Sequence, residues 1–327
     1  MVRAVRRKIL AGLGLALAGV SPQPAAAGPA GAAAAAAAAE AGSFVALGDF
    51  PSAQVAPRKV VVWLPPGYGA SGERYPVLYM HDGQNLFDPA TAMGGQAWEV
   101  HKRLAALAET GAVRPAIIVG IASTRDRSRE YGPAQAVEAL APELRAALLG
   151  DPPTPGGLPT LSEQYLRFVV EELKPAIDGR FRTSPERADT FIMGSSMGGM
   201  ISLYALARYP EVFAGAACLS THWPLTTNFN MLSDKDDPRP VRYAAAYFDW
   251  LARKLPRAGR HKLYFDHGDA TLDALYAPYQ QQVDGIVRAK GYRAGVDWIS
   301  QVFPGADHSE TAWRERVEVP LRFLLSR

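Results

Sequence analysis

The stretch FIMGSSMGGM, Phe191 to Met200, sets two adjacent serines among glycines, with an apolar run before it and a helical pattern after it. A serine hydroxyl is a useful nucleophile only when a base takes its proton. The sharp strand-to-helix reversal of a G-x-S-x-G motif presents such a hydroxyl at an exposed apex. That reversal presses together the residues two before and two after the central serine, so both must be small. Around Ser196 these are Gly194 and Gly198; around Ser195 they are Met193 and Met197, which do not fit. Ser196 is the nucleophile candidate, set against the plainer reading of a tight turn with a helix-capping serine.

In this motif the acid and then the histidine follow the serine along the chain. His222, His261, His267 and His308 are the histidines beyond Ser196. His308 lies in FPGADHSETAW, between the last expected strand and the last expected helix. Loops at the carboxyl ends of parallel strands share one crevice, so His308 is the candidate base. His261 begins a strand at the opposite edge and reads as structural. His222 and His267 fall at the correct edge, as substrate-contacting or supporting residues. The acid must hydrogen-bond the far imidazole nitrogen and fix its tautomer. YFDHGDATLDALY offers Asp266 at a strand end, Asp269 in the turn after Gly268 and Asp273 beyond it. From the residues alone all three stay open.

The elements needed to carry these side chains are legible as alternating strands and helices. Strands are expected at 59–64, 76–81, 116–121, 190–193, 213–220, 262–266 and 296–303, and helices at 96–109, 162–178, 197–208, 272–290 and 309–325. Near-continuous apolar strands alternating with helices predict an α/β fold, a mostly parallel central sheet with helices on both faces. No period of 20 to 50 residues repeats, which excludes solenoids and propellers. Two segments break the alternation: the Pro/Gly-rich 148–159 and the polar 228–240, which read as lids or as surface decoration.

These residues together resemble the putative-esterase branch of the α/β-hydrolase superfamily, which includes siderophore esterases of the enterobactin type, feruloyl and acetylxylan esterases and S-formylglutathione hydrolases. The resemblance runs from about Val60 to Arg327. It rests on YMHDGQNLFD (79–88), YLRFVVEELKPAIDGRFRT (165–183), MGSSMGG (193–199), DHGDATLDALYAPYQ (266–280) and GADHSETAWRERV (305–317). It implies an α/β-hydrolase fold, with Ser196 and His308 as nucleophile and base. Its G-T-x-T-L-D run implies Asp273 as the acid, while Asp269, standing where that run has threonine, remains the alternative. It further implies an oxyanion hole from the N–H groups of Met197 and Gln84, with His81 and Asp82 bracing the Gln84 loop. By the same analogy Trp98 and the run TRDRSREY (124–131) line the substrate cleft.

Composition bounds the rest. Hydrophobic residues make up 48% of the 327 and charged residues 20%, enough apolar material for a globular core. Arg3, Arg6, Arg7 and Lys8 precede an apolar run from Ile9 to Val20, and Ala25-Ala26-Ala27 gives an A-x-A site. That order predicts a signal peptide over 1–27, followed by an alanine-rich linker over 28–42 and the esterase domain over 43–327. The apolar run is shorter than the ~20 residues a spanning helix needs, so no stable membrane anchor is expected after cleavage. The protein is expected to be exported, to the periplasm or beyond. Cleavage removes four cationic residues and no acidic ones, which turns the net charge of +3 into −1. Nucleic-acid binding thereby loses its compositional support. Cys218, the one cysteine, sits in an apolar run and reads as a buried hydrophobe. No metal-ligand spacing is present, and neither metal nor cofactor is expected.

The expected function is an exported serine esterase working through an acyl-enzyme, its substrate a small-molecule or acyl-carbohydrate ester such as a siderophore ester or an acylated carbohydrate. Two alternatives stand beside it: an acyltransferase on the same scaffold, and a non-catalytic binding module with an inherited hydrolase fold.

Overall fold

The computed structural model describes residues 42–150 and 159–326. The expected signal peptide, the linker up to Ala41 and residues 151–158 of the expected 148–159 loop lie outside them.

Eight strands form one sheet: β1 (Ser43–Phe50), β2 (Arg58–Leu64), β3 (Val77–His81), β4 (Ile117–Ile121), β5 (Thr190–Ser195), β6 (Gly215–Leu219), β7 (Lys262–His267) and β8 (Trp298–Val302). Their order is β1-β2-β4-β3-β5-β6-β7-β8. β2 runs antiparallel to both β1 and β4, and every pair from β4 to β8 is parallel. The sequence predicts seven of these strands and misses β1. SFVALGDF is largely exposed along the sheet edge, and its register slips between Ala46 and Gly48, so it lacks a clean apolar alternation.

Before β4 comes helix α1 (Val100–Glu109), and after it the short α2 (Arg127–Tyr131), α3 (Ala134–Glu138) and α4 (Pro142–Leu149). The helix expected over 162–178 is α5 (Ser162–Arg167), a π-helical stretch (Phe168–Leu173) and α6 (Lys174–Arg180). Pro175 supplies no N–H to the carbonyl of Glu171, and the ladder widens to longer bonds just before it. Helix α7 (Met197–Arg208) follows β5, and α8 (Phe229–Ser233) and α9 (Arg239–Lys254) lie between β6 and β7. Then come α10 (Ala277–Ala289) before β8, and α11 (Glu310–Arg316) and α12 (Glu318–Leu325) after it.

Alternate side chains of the central strands enter two cores, one on each face. Tyr79, Val119 and Ile192 pack with Phe168, Tyr204, Tyr247 and Val283 of one helical layer. Leu78, Met80, Ile118 and Met193 pack with Leu104, Trp313 and Leu321 of the other. Helices therefore cover both faces, as the alternation predicts. The segment 228–240 is not a plain polar loop. Asn228 caps α8 by accepting from the N–H groups of Asn230 and Met231, and Met231 and Leu232 are buried.

Candidate active site

Ser196 stands between β5 and α7 with φ 56° and ψ −124°, a conformation L-residues adopt only under constraint. Its N–H donates to the carbonyl of Leu219 on β6, and its own carbonyl accepts from the N–H of His222. A Cβ on Gly194 would lie 2.7 Å from the carbonyl carbon of Gly198, so side chains cannot occupy that position. The steric expectation is softer at Gly198, where a Cβ would meet Asp82 and His81 at 3.4 Å, ordinary contact distance. Ser195 ends β5 and is buried, whereas Ser196 is partly exposed. Cys218 is buried and unpaired by any disulfide, and burial holds its thiol pKa well above the usual value.

His308 and Asp273 meet at the same sheet edge. His308 Nδ1 donates to Asp273 Oδ1 at 2.6 Å. The loops after β7 and β8 are locked together by a close backbone approach: a Cβ on Gly268 would fall 1.9 Å from the carbonyl oxygen of Ala306. The N–H groups of Asp269 and Ala270 both donate to that oxygen, and the N–H of His308 donates to Thr271 Oγ1. The His308 ring packs edge-on between Trp313 and Tyr276, at centroid distances of 5.0 and 5.7 Å. Asp269 does not touch His308; it is exposed and accepts from the N–H of Gly305 at 2.6 Å. Asp266 is buried at the end of β7 and bonded to Tyr264 and Arg316.

Behind Asp273 lies a polar network that sequence reasoning misses. Its Oδ2 accepts from Ser220 Oγ at 2.5 Å and from the N–H of Gly268 at 2.7 Å. Burial pushes the Asp273 carboxyl up, but the bonds from His308, Ser220 and Gly268 outweigh it and hold it below the usual carboxylate range. Ser220, at φ 42°, also receives bonds from Trp313 Nε1 and Arg316 Nη2. Arg316 is 4% exposed and reaches Asp266 Oδ1 at 3.1 Å through Nε. The buried guanidinium thus joins two buried carboxylates, Asp266 and, at 3.7 Å, Asp273. One signal was available: Trp313 and Arg316, three apart on α11, share a helix face with each other. The positive φ of Ser220 left no mark in the sequence.

Across the edge, the loop after β3 turns at Asp82, with φ 55°, into a 3₁₀ turn, Gly83–Asn85. Asn85 and Leu86 close that turn, donating to the carbonyls of Asp82 and Gly83. The Gln84 N–H precedes these bonds and has no backbone partner among the described residues. The Met197 N–H opens α7 and is one of the donors a helix start leaves unmet. The Gln84 side chain clamps Ser123 by two hydrogen bonds. Asp82 binds Arg127 through both carboxylate oxygens, at 2.7 and 2.8 Å. Burial pushes the Asp82 carboxyl up, and Arg127 more than offsets this, leaving it below its ordinary value. His81 is buried, with Nδ1 on Tyr165 OH at 2.7 Å, and burial pulls its pKa down to about 3. Glu310 receives Asn85 Nδ2 at 3.1 Å, and burial raises its carboxyl.

Two expected substrate contacts, Trp98 and His222, are corrected. Trp98 is 3% exposed and packs on Trp313, so it backs the wall behind His308 instead of facing a ligand. His222 is buried with both ring nitrogens engaged, Nδ1 with Tyr276 OH and Nε2 with the carbonyl of Thr226, and burial lowers its pKa to about 4. In the run 124–131 Glu130 is fully buried and bound to Arg58 at 2.6 and 2.8 Å, whereas Arg125 is exposed and Arg127 half-buried against Asp82. A cavity of about 720 Å³ opens beside the 3₁₀ turn, lined by Gly83, Gln84, Phe44, Phe87, His101 and others.

Residues 53–324 match the protein family described as Putative esterase. Ferri-bacillibactin esterase BesA of Bacillus subtilis (strain 168) is 30% identical over 156 residues, 46% of this chain and 49% of that protein. The chain spans between 21% and 58% of the length of the curated relatives it matches. Among solved structures, the enterobactin esterase FES from Shigella flexneri superposes with a TM-score of 0.59 at 17% identity, covering 86% of this chain and 59% of that one. A ferulic acid esterase superposes at 0.58 and 18% identity, covering 86% and 97%. At such identities the likeness is one of fold, and the fold is the α/β-hydrolase type that the sequence resembles.

Proposed function

The chain belongs to the family described as Putative esterase, and from that premise we propose that it is an exported serine carboxylic-ester hydrolase. One observation carries the reading: a serine held at φ 56° shares the carboxyl edge of the sheet with a histidine bonded to a buried carboxylate at 2.6 Å. Ser196 Oγ attacks the ester carbonyl carbon as its proton passes to His308 Nε2. Asp273, on the other ring nitrogen, fixes the tautomer and stabilises the imidazolium. The N–H groups of Met197 and Gln84 stabilise the tetrahedral oxyanion, each contributing about 3 kcal/mol. His308 then protonates the departing alcohol. Water attacks the acyl-enzyme, gives its proton to His308, and releases the carboxylic acid with Ser196 restored.

The substrate we propose is a siderophore ester or an acylated carbohydrate. Relatives described as acting on ferri-bacillibactin and on ferulic acid esters support that class. The test is a screen of the purified protein on short aryl esters, acylated xylans and siderophore lactones. Turnover is expected on at least one class, with a fluorophosphonate adduct mapping to Ser196 by peptide mass. Ser196→Ala should abolish both turnover and adduct, and Ser195→Ala should keep most of each. An adduct at Ser195, or turnover persisting in Ser196→Ala, sinks the mechanism.

A further inference from the structure

The edge of the sheet opposite Ser196 carries a feature that ester hydrolysis leaves unused. At the amino ends of β5 and β7, a cavity of about 400 Å³ is lined by Arg114, Arg187, Arg260, His261, Lys262 and Arg293. Asp297 is its single lining carboxylate. β5 separates this edge from Ser196 by its whole length, about 20 Å at ~3.3 Å per residue.

The cations arrive from four separate stretches of chain: ahead of β4, ahead of β5, at the start of β7 and in the turn ahead of β8. Two of them have acidic partners: Arg114 pairs with Asp189, and Arg293 lies 3.9 Å from Asp297. Arg187 donates to the carbonyl of Arg260, and Lys262 Nζ donates to the carbonyl of Phe323 and to Ser326 Oγ. Among the described residues none of Arg187, Arg260 and Lys262 has a carboxylate within ion-pair distance. Like charges gathered this way repel one another, and an anion between them turns that repulsion into attraction.

His261 adds an independent observation. It is 8% exposed, its Nε2 donates to the carbonyl of Pro210 at 2.8 Å, and its Nδ1 is buried without a partner. A buried polar atom left unmet is uncommon in folded proteins. The potential at the site is positive in its effects. Burial lowers the His261 pKa, and Arg187 and Arg260 lower it further against the bond to Pro210. Burial likewise lowers Lys262, with Arg114 adding to it.

We propose that this cavity is a binding site for a tetrahedral oxyanion of the phosphate or sulfate type, held by Arg187 and Arg260 with Lys262 and His261 behind them. Guanidinium groups present paired N–H donors that match such an anion. An anion seated there relieves the repulsion on His261, and its imidazolium gains the partner that Nδ1 lacks. The site stands apart from Ser196 and does not depend on the ester-hydrolase reading.

The experiment follows the His261 ring by NMR through a pH titration of the whole chain at low ionic strength, with and without inorganic phosphate. Phosphate should raise the His261 pKa, and high salt should erase the shift by screening. The double variant Arg187→Gln/Arg260→Gln should weaken phosphate binding at least tenfold by calorimetry while leaving hydrolysis of an aryl ester unchanged. A second arm uses vesicles of phosphatidylglycerol in phosphatidylcholine against phosphatidylcholine alone. Binding of free phosphate supports a soluble ligand, and binding of anionic vesicles alone supports a lipid headgroup, provided either is lost in the double variant. No response of His261 to phosphate or to anionic vesicles, or binding that survives the double variant, overturns the proposal.

Discussion

Asp273 turns one oxygen to His308 and the other to Ser220 and the N–H of Gly268, so its two halves do different work. Asp273→Asn replaces an acceptor with a donor and favours the wrong histidine tautomer. We expect kcat to fall by about 10³-fold or more with KM little changed. Asp269→Asn, which loses only a bond from Gly305, should stay within about tenfold. Steady-state kinetics on one aryl ester decide the matter, and a crippled Asp269→Asn beside a healthy Asp273→Asn reverses the assignment. The residue scale also shows what sequence can and cannot carry. Ser196 and His308 stand out because glycine spacing and loop position are local patterns. Asp266 within β7 and Asp269 and Asp273 beyond it are near neighbours along the chain, and only the fold tells which carboxylate faces the ring. Ser220 and Arg316 meet across 96 residues of chain, a separation at which no spacing rule speaks.

Elements were legible in proportion to how cleanly they alternate. The central strands are apolar on both faces and read plainly; β1 is an exposed edge and does not. Helix α9 buries Tyr243, Ala244, Tyr247, Phe248 and Leu251 at helical spacing. It escapes notice because Pro238 before it gives no side-chain cap and the run ahead of it is polar. The short α2 was obscured for the opposite reason, its charges suggesting solvent while Glu130 sits fully buried against Arg58. Glu130→Ala leaves that guanidinium buried and unpaired, and should cost about 3–5 kcal/mol in urea unfolding. A loss no larger than a surface pair gives would show that Arg58 finds water instead. The contact between the loops after β7 and β8 yields a second expectation. Gly268→Ala must push the two loops apart, separating Asp273 from His308. Its kcat should fall as in Asp273→Asn, while far-UV circular dichroism stays native; full activity would mean the loops yield without moving the pair.

At the scale of the whole molecule, the sheet keeps a hydrolytic edge and a cationic edge apart, and its interior stores neutral histidines. His81 and His222 are pulled down to about 3 and about 4 by burial, against about 6.5 when unfolded. The unfolded chain therefore binds protons first as pH drops, so the stability these rings contribute is complete above pH ~6.5 and is lost as pH falls toward their folded values. By pH 5 each should cost roughly 2 kcal/mol. Urea midpoints measured from pH 7 to pH 5 should decline accordingly, and a flat profile would mean that both rings are charged in the fold.

The strand order has a consequence in time. Ser196 directly follows β5, in the middle of the sheet, whereas Asp273 and His308 follow β7 and β8, its last two strands. Chains are synthesised at about 5–20 residues per second, so the serine leaves the ribosome roughly six to twenty seconds before the histidine. Through that interval the elbow lacks its proposed base and the β8 loop that carries it. A nascent chain that began to fold early would carry the strained serine chemically silent, and reactivity would switch on only as β8 docked against β7.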